Sequence, residues 1–142
     1  MTDSKTVLAF DFGLARVGVA VGQSITGTAT ALTTLQASGD ALDSAIDTLV
    51  GQWRPSRLLV GLPDDSQSAS SIRPQILAFA GGLERHGVPI DLVDESFSSR
   101  EAETRLKLRR QAGARRARRG DVDAEAARII AEQWLQDASR AT

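Results

Sequence analysis

The stretch Val7–Val21, VLAFDFGLARVGVAV, decides the fold class. Val7 to Phe10 is a continuous apolar run, Asp11-Phe12-Gly13 follows it, and Val17 to Val21 is again rich in β-branched residues. Two strands joined by a short turn at Gly13 to Ala15 is the simplest structure with that pattern. Thr26 to Leu35 mixes threonine with small and apolar residues, which suits a third strand beside the second. The chain therefore opens with an antiparallel meander.

Downstream the period lengthens. Leu42, Ala45, Ile46, Leu49, Val50 and Trp53 recur at helical spacing, with Asp40 placed to cap the helix and Pro55 to stop it. Leu58-Leu59-Val60 reads as a short buried strand punctuated by Gly61 and Pro63. Ile72, Ile76, Leu77, Phe79, Ala80 and Leu83 mark a second helix, whose end Gly81 and Gly82 weaken. Ile90 to Val93 is another strand, Ser98 with Glu101 forms a capping box for a third helix, and Val122 to Leu135 is a fourth. Strands alternating with helices require crossovers and hence parallel pairing. The expected architecture is α/β: a mixed five-stranded sheet, three antiparallel strands and then parallel crossovers, with helices on its faces. Asp64 to Ser71 and Arg109 to Gly120 read as loops.

No repeat or linker divides the 142 residues, and 42% hydrophobic content fills one core, so a single domain over residues 1–142 is expected. The chain has no cysteine, which excludes disulfide frameworks, thiolate nucleophiles and cysteine-based zinc sites, and suits a reducing cytoplasm. No apolar run approaches the roughly 20 residues of a membrane-spanning helix. His86 is the single histidine and tyrosine is absent, so carboxylates must carry most of the chemistry. The net charge of -1 hides a strong asymmetry. Arg105, Lys107, Arg109, Arg110, Arg115, Arg116, Arg118 and Arg119 occur with no acidic residue among them, as expected of a segment that grips a sugar-phosphate backbone.

Three acidic positions stand out. Asp11 ends an apolar strand, where an ionised side chain is costly without donors or a cation. Gly13 and Gly18 beside it either let a phosphate approach the backbone or serve turn geometry. Asp94 and Glu95 end the strand after Val93, at the kind of carboxyl edge where open α/β sheets bind ligands, and alternation sends only one of the two into a given site. Asp123 shares one helix face with Ala127, Ile130 and Trp134, while Asp121 better suits the role of N-cap. Acids converging from three elements repel one another unless a cation sits between them. Mg²⁺ or Mn²⁺ fits such an all-oxygen set.

Together, Ala9-Phe10-Asp11-Phe12-Gly13 with Arg16-Val17-Gly18-Val19-Ala20, Val60-Gly61-Leu62-Pro63, Val93-Asp94-Glu95 before Ser98-Ser99-Arg100-Glu101-Ala102, and Val122-Asp123 before Ala126-Ala127 closely resemble the YqgF (RuvX-like) family. The motifs occur in order over nearly the whole chain. The resemblance implies a ribonuclease H-like fold similar to that of RuvC-type Holliday junction resolvases. It also implies a nuclease acting on pre-16S rRNA during ribosome maturation, or a resolvase-like endonuclease acting on structured DNA. The family's acidic residues map onto Asp11, Glu95 and Asp123, which become the expected catalytic and metal-binding residues, with a two-metal site. Arg16, Arg109, Arg110, Arg115, Arg116, Arg118 and Arg119 are the expected nucleic-acid contacts. Two positions depart from the family pattern: Ser96 stands where an arginine usually follows Asp-Glu, and Asp64-Asp65-Ser66-Gln67-Ser68 replaces a loop that usually carries glycine.

Other functions meet physical objections or remain as competitors. An actin-like ATPase would use Asp11-Phe12-Gly13 as a phosphate loop, but encloses its nucleotide between two duplicated domains, for which this chain is too short. The kinase magnesium motif Asp-Phe-Gly follows a Gly-rich loop and a strand lysine, and neither precedes Asp11. A non-catalytic nucleic-acid-binding module of the same fold remains a competitor to the nuclease, separable by metal-dependent cleavage. Oligomeric state is left open between monomer and weak dimer.

Overall fold

The computed structural model describes residues 5–37, 40–62, 72–94 and 119–140. In chain order these form β1 (Thr6–Phe12), β2 (Arg16–Gln23), β3 (Thr28–Gln36), α1 (Asp40–Trp53), β4 (Arg57–Leu62), α2 (Arg73–Leu83), β5 (Ile90–Asp94) and α3 (Arg119–Arg140). The strands make one five-stranded sheet in the order β3-β2-β1-β4-β5. β2 runs antiparallel to both β1 and β3, whereas β1, β4 and β5 are mutually parallel. This is the mixed sheet that the hydrophobic pattern predicts.

β1 sits at the centre and is buried on both faces, which is why its sequence is a run rather than an alternation. Leu8 and Phe10 join Val17, Val19, Val21, Ile46, Leu58, Val60, Ile76 and Leu83 in the core on the α1 and α2 side. Val7 and Ala9 point the other way, into a smaller core with Leu59, Val93, Ile130, Ala131 and Leu135 under α3. Phe79 of α2 meets Phe10 edge-on at 5.7 Å and Phe12 at 4.9 Å, tying α2 to the end of β1.

Element ends follow local chemistry. α1 stops as expected before Pro55: Arg54 takes a positive φ of 47° and its N–H donates to the Val50 carbonyl at 2.8 Å. Pro74 occupies the first turn of α2, where its missing N–H costs nothing. Gly81 and Gly82 fall in the last turn of that helix. It continues to Leu83 and tightens into a 3₁₀ turn at Glu84–His86, and Gly87 closes this with a φ of 68°. β4 runs through Gly61 to Leu62, beyond the Leu58–Val60 core, because β5 supplies partners for both added residues.

α3 begins at Arg119, so Asp121 lies in its first turn and is not the N-cap. The apolar stripe marks where the helix is held against the sheet, and the helical backbone starts upstream of it. The helix predicted from Ser98, the loop Asp64 to Ser71, and the segment before Arg119 fall outside the described residues. Among the described residues no helix is long and apolar enough to cross a membrane.

Candidate active site

Strand alternation assigns Asp11 to a face. Val7 and Ala9 pack toward α3, and Leu8 and Phe10 pack away from it, so Asp11 projects to the α3 side. Its cross-strand partner in the antiparallel register is Gly18. A Cβ built on Gly18 would stand 1.9 Å from the carbonyl oxygen of Asp123 and 2.8 Å from the nitrogen of Ala124. The backbone of α3 thus rests directly on the strand position beside Asp11. Two acidic residues 112 positions apart in the chain are thus placed on neighbouring positions of one sheet face: Asp11 pairs with Gly18, and the Asp123 backbone rests on Gly18.

The structure also decides the roles of both glycines. Gly18 admits the α3 backbone, and that space is not left for a phosphate. Gly13 serves turn geometry: its N–H donates to the Arg16 carbonyl at 2.8 Å, and an added Cβ would sit 3.0 Å from that oxygen. Gly22 continues the pattern on β2, with Leu135 Cδ1 and Val7 Cγ2 each 3.0 Å from its absent Cβ. Gly18, Ala20 and Gly22 share one face of β2, and the buried Ala127 and Ala131 of α3 belong to the helix that covers them. Small residues on both sides bring helix and strand backbones close together. That closeness seats the Asp123 backbone on Gly18, the strand partner of Asp11.

Arg16 lies on the same face, two residues before Gly18. Its Nε donates to Asp123 Oδ2 at 2.6 Å, with side chains 34% and 24% exposed. The sequence offered Arg16 as a nucleic-acid contact, and no spacing rule connects it to an acid 107 residues away. The structure pairs Arg16 with Asp123 and places Asp11 on the same face, beside the strand position on which the Asp123 backbone rests. Glu95 and Arg109, Arg110, Arg115, Arg116 and Arg118 lie outside the described residues, and Arg119 is the first residue of α3.

Asp11, Leu62 and Asp94 stand at or beside the carboxyl ends of the three parallel strands, and the amino-terminal end of α3 arrives at the same edge. Helix amino termini favour negative charge, as carboxylates or as phosphates. On β5 the alternation is visible up to the strand end. Asp91 faces α3, where it accepts from Trp134 Nε1 at 2.9 Å, and Val93 packs in the α3-side core. Asp94 therefore points to the opposite face and is exposed. Among the described residues no three potential ligands stand together as a metal site.

The family model described as RuvX, Holliday junction resolvase, matches residues 5–137. The chain belongs to the RuvX family. A relative from Vibrio vulnificus is 38% identical over 138 residues, covering 94% of this chain and 96% of its own. One from Burkholderia cenocepacia is 41% identical over 137 residues, covering 94% and 91%. Both bear the name "Putative pre-16S rRNA nuclease". Among solved structures, Thermus thermophilus RuvC in complex with a Holliday junction substrate superposes with a TM-score of 0.59 at 15% identity, covering 95% of this chain and 96% of that one. The fowlpox virus resolvase in complex with Holliday junction DNA gives 0.58 at 8% identity, covering 94% and 98%. These likenesses establish the ribonuclease H-like fold for this RuvX member.

Proposed function

We propose that this RuvX-family chain is a divalent-metal-dependent nuclease, one domain spanning residues 1–142, that hydrolyses phosphodiester bonds of structured nucleic acid, with the 5′ end of pre-16S rRNA as its substrate in the cytoplasm. The observation that carries the proposal is the seating of the Asp123 backbone on Gly18, the strand partner of Asp11, at the carboxyl end of β1. The names of its relatives, at about 40% identity over nearly the full chain, support the choice of pre-16S rRNA.

The donor set suits Mg²⁺ or Mn²⁺, since carboxylate oxygens are the ligands these ions prefer and the described site contains no sulfur or imidazole. Asp123 already holds a cation in the form of the Arg16 guanidinium, so the site demands positive charge. Glu95 is assigned as the third carboxylate. The support for it over Asp94 is the alternation that puts Asp91 and Val93 on the α3 side and Asp94 on the other. Bound divalent cations supply an activated water and stabilisation of the leaving oxygen. Asp11, on the central strand, would be the principal carboxylate holding the cations, with Glu95 and Asp123 completing the set. The arginines from Arg109 to Arg119 hold the sugar-phosphate backbone without reading sequence.

A DNA endonuclease acting on four-way junctions is the second reading, favoured by the description of the family model. One assay separates the readings. End-labelled structured RNA, single-stranded RNA and a DNA four-way junction are each incubated with and without Mg²⁺ or Mn²⁺. Metal-dependent cutting of structured RNA is the expected result, preferential cutting of the junction would favour the resolvase, and binding without cleavage would leave a non-catalytic module.

A further inference from the structure

The Arg16–Asp123 pair joins the residue expected to touch substrate to the residue expected to hold metal. Its geometry divides the parts that can move from those that cannot. The Arg16 backbone is fixed by the Gly13 N–H on its carbonyl and by its place opposite Gln36 in the β2–β3 ladder. The Asp123 backbone is wedged against Gly18, so close that not even a methyl group fits between them. With both backbones fixed, adjustment falls to the side chains, and the longer one, the one-third-exposed Arg16, can swing without disturbing either element.

We propose that Arg16 is an exchangeable counter-ion, and that it couples metal binding to substrate binding. The inference rests on the metal-dependent nuclease reading. Without metal, the guanidinium neutralises Asp123. A divalent cation taken up at Asp123 competes with that contact and releases the guanidinium, which then pairs with a phosphate of the incoming strand. A nucleic-acid phosphate that draws Arg16 away likewise frees Asp123 for the cation. Each ligand thereby relieves the cost of the other, and linkage requires the two effects to be equal in size. Arg16 acts in this scheme as a substrate-binding residue that reports on metal at Asp123.

The test reads binding and not turnover. Mn²⁺ binding, followed by loss of the free-ion electron paramagnetic resonance signal, is expected to be about fivefold tighter in Arg16→Gln than in wild type without nucleic acid, the low end of usual coupling strengths. Adding a short DNA duplex with phosphorothioate linkages that resist cleavage, with the Mn²⁺ taken up by the duplex alone subtracted, should tighten metal binding in wild type. In Arg16→Gln it should do so less. Should that variant fail to fold, wild type suffices: the Arg16 Nε–H resonance, held by Asp123, should move toward the position of a solvated arginine as Mg²⁺ is added. Equal Mn²⁺ affinity in both proteins, or an Arg16 resonance indifferent to bound Mg²⁺, overturns the exchange and leaves the metal site standing. Mn²⁺ binding that survives Asp123→Asn unchanged removes the metal assignment of Asp123, and the exchange with it.

Discussion

Gly18 is the residue on which the site depends most, because a single hydrogen in place of a side chain lets α3 lie on β2. Gly18→Ala would put a methyl group 1.9 Å from the Asp123 carbonyl oxygen, and backbone cannot yield as a flexible side chain does. The helix end must lift or the strand must bend, at a cost of about 3 kcal/mol, the upper range of overpacking in a filled interior. A fall in the thermal midpoint by several degrees, with Mn²⁺ affinity also reduced, is the expected outcome; an unperturbed melt would mean that α3 does not seat there. For the acids, near-isosteric amides separate charge from shape. Asp11→Asn, Asp123→Asn and Glu95→Gln should each abolish metal-dependent cleavage with the fold retained, and Asp11→Asn should melt no lower than wild type without metal. Asp94→Asn should keep most of its activity, because Asp94 points away from the face of Asp11. Cleavage by purified Asp11→Asn protein at the wild-type rate would remove the assignment.

At the scale of elements, α3 is held to the parallel half of the sheet by a clamp away from the carboxyl edge. Asp91 of β5 accepts from Arg57 Nη1 and from Trp134 Nε1, each at 2.9 Å, and the Arg57 guanidinium lies 5.7 Å from the centre of the Trp134 ring. On the other side, Arg128 binds Glu125 and Glu132, and Glu132 accepts from the Ala29 N–H on the edge strand β3. Burial pulls the Arg128 pKa down, but the hydrogen bonds and charges of Glu125 and Glu132 outweigh it, so the net shift is upward and the guanidinium stays charged. Asp91→Ala removes an acceptor shared by two elements at a position about one-third exposed, so a loss near 1 kcal/mol is expected, with Mn²⁺ affinity unchanged. Denaturant titration and metal binding measured on the same variant check both halves. The elements themselves were largely legible in the sequence: the run through Phe10 marks a central strand, and the spacing from Leu42 to Trp53 marks α1. Periodicity shows which residues turn inward, but not which element covers them. Gly18 therefore looked like a turn or phosphate residue until α3 was seen resting on it, and the ion pair from Arg16 to Asp123 spans too much chain for any local rule to find. The strand of small residues Gly18, Ala20 and Gly22, paired with an alanine-rich helix, was the one available sign of that close approach.

Over the whole molecule, charge and connectivity point to the same edge. The first turns of α3 rest on Gly18, opposite Asp11 at the carboxyl end of β1, and the basic run of the sequence ends at Arg119, where α3 begins. The eight basic residues from Arg105 to Arg119 occur without an acid among them and lead directly into that helix in the sequence, while the rest of the chain carries the excess of acids. Phosphate contacts release condensed counterions, so affinity for nucleic acid should fall steeply with salt and depend little on sequence. Replacing Arg115, Arg116, Arg118 and Arg119 with serine should lower the slope of log affinity against log salt by up to about 3 to 4, at roughly 0.7 to 0.9 per lost contact. Binding to all sequences should weaken alike, and the thermal midpoint should change little if these side chains serve capture and not the core. Cleavage of a very short oligonucleotide at saturation should persist, because Asp11 and Asp123 are untouched. An unchanged slope would show that the segment does not touch phosphate, and a collapsed melting transition would show that its arginines belong to the folded body.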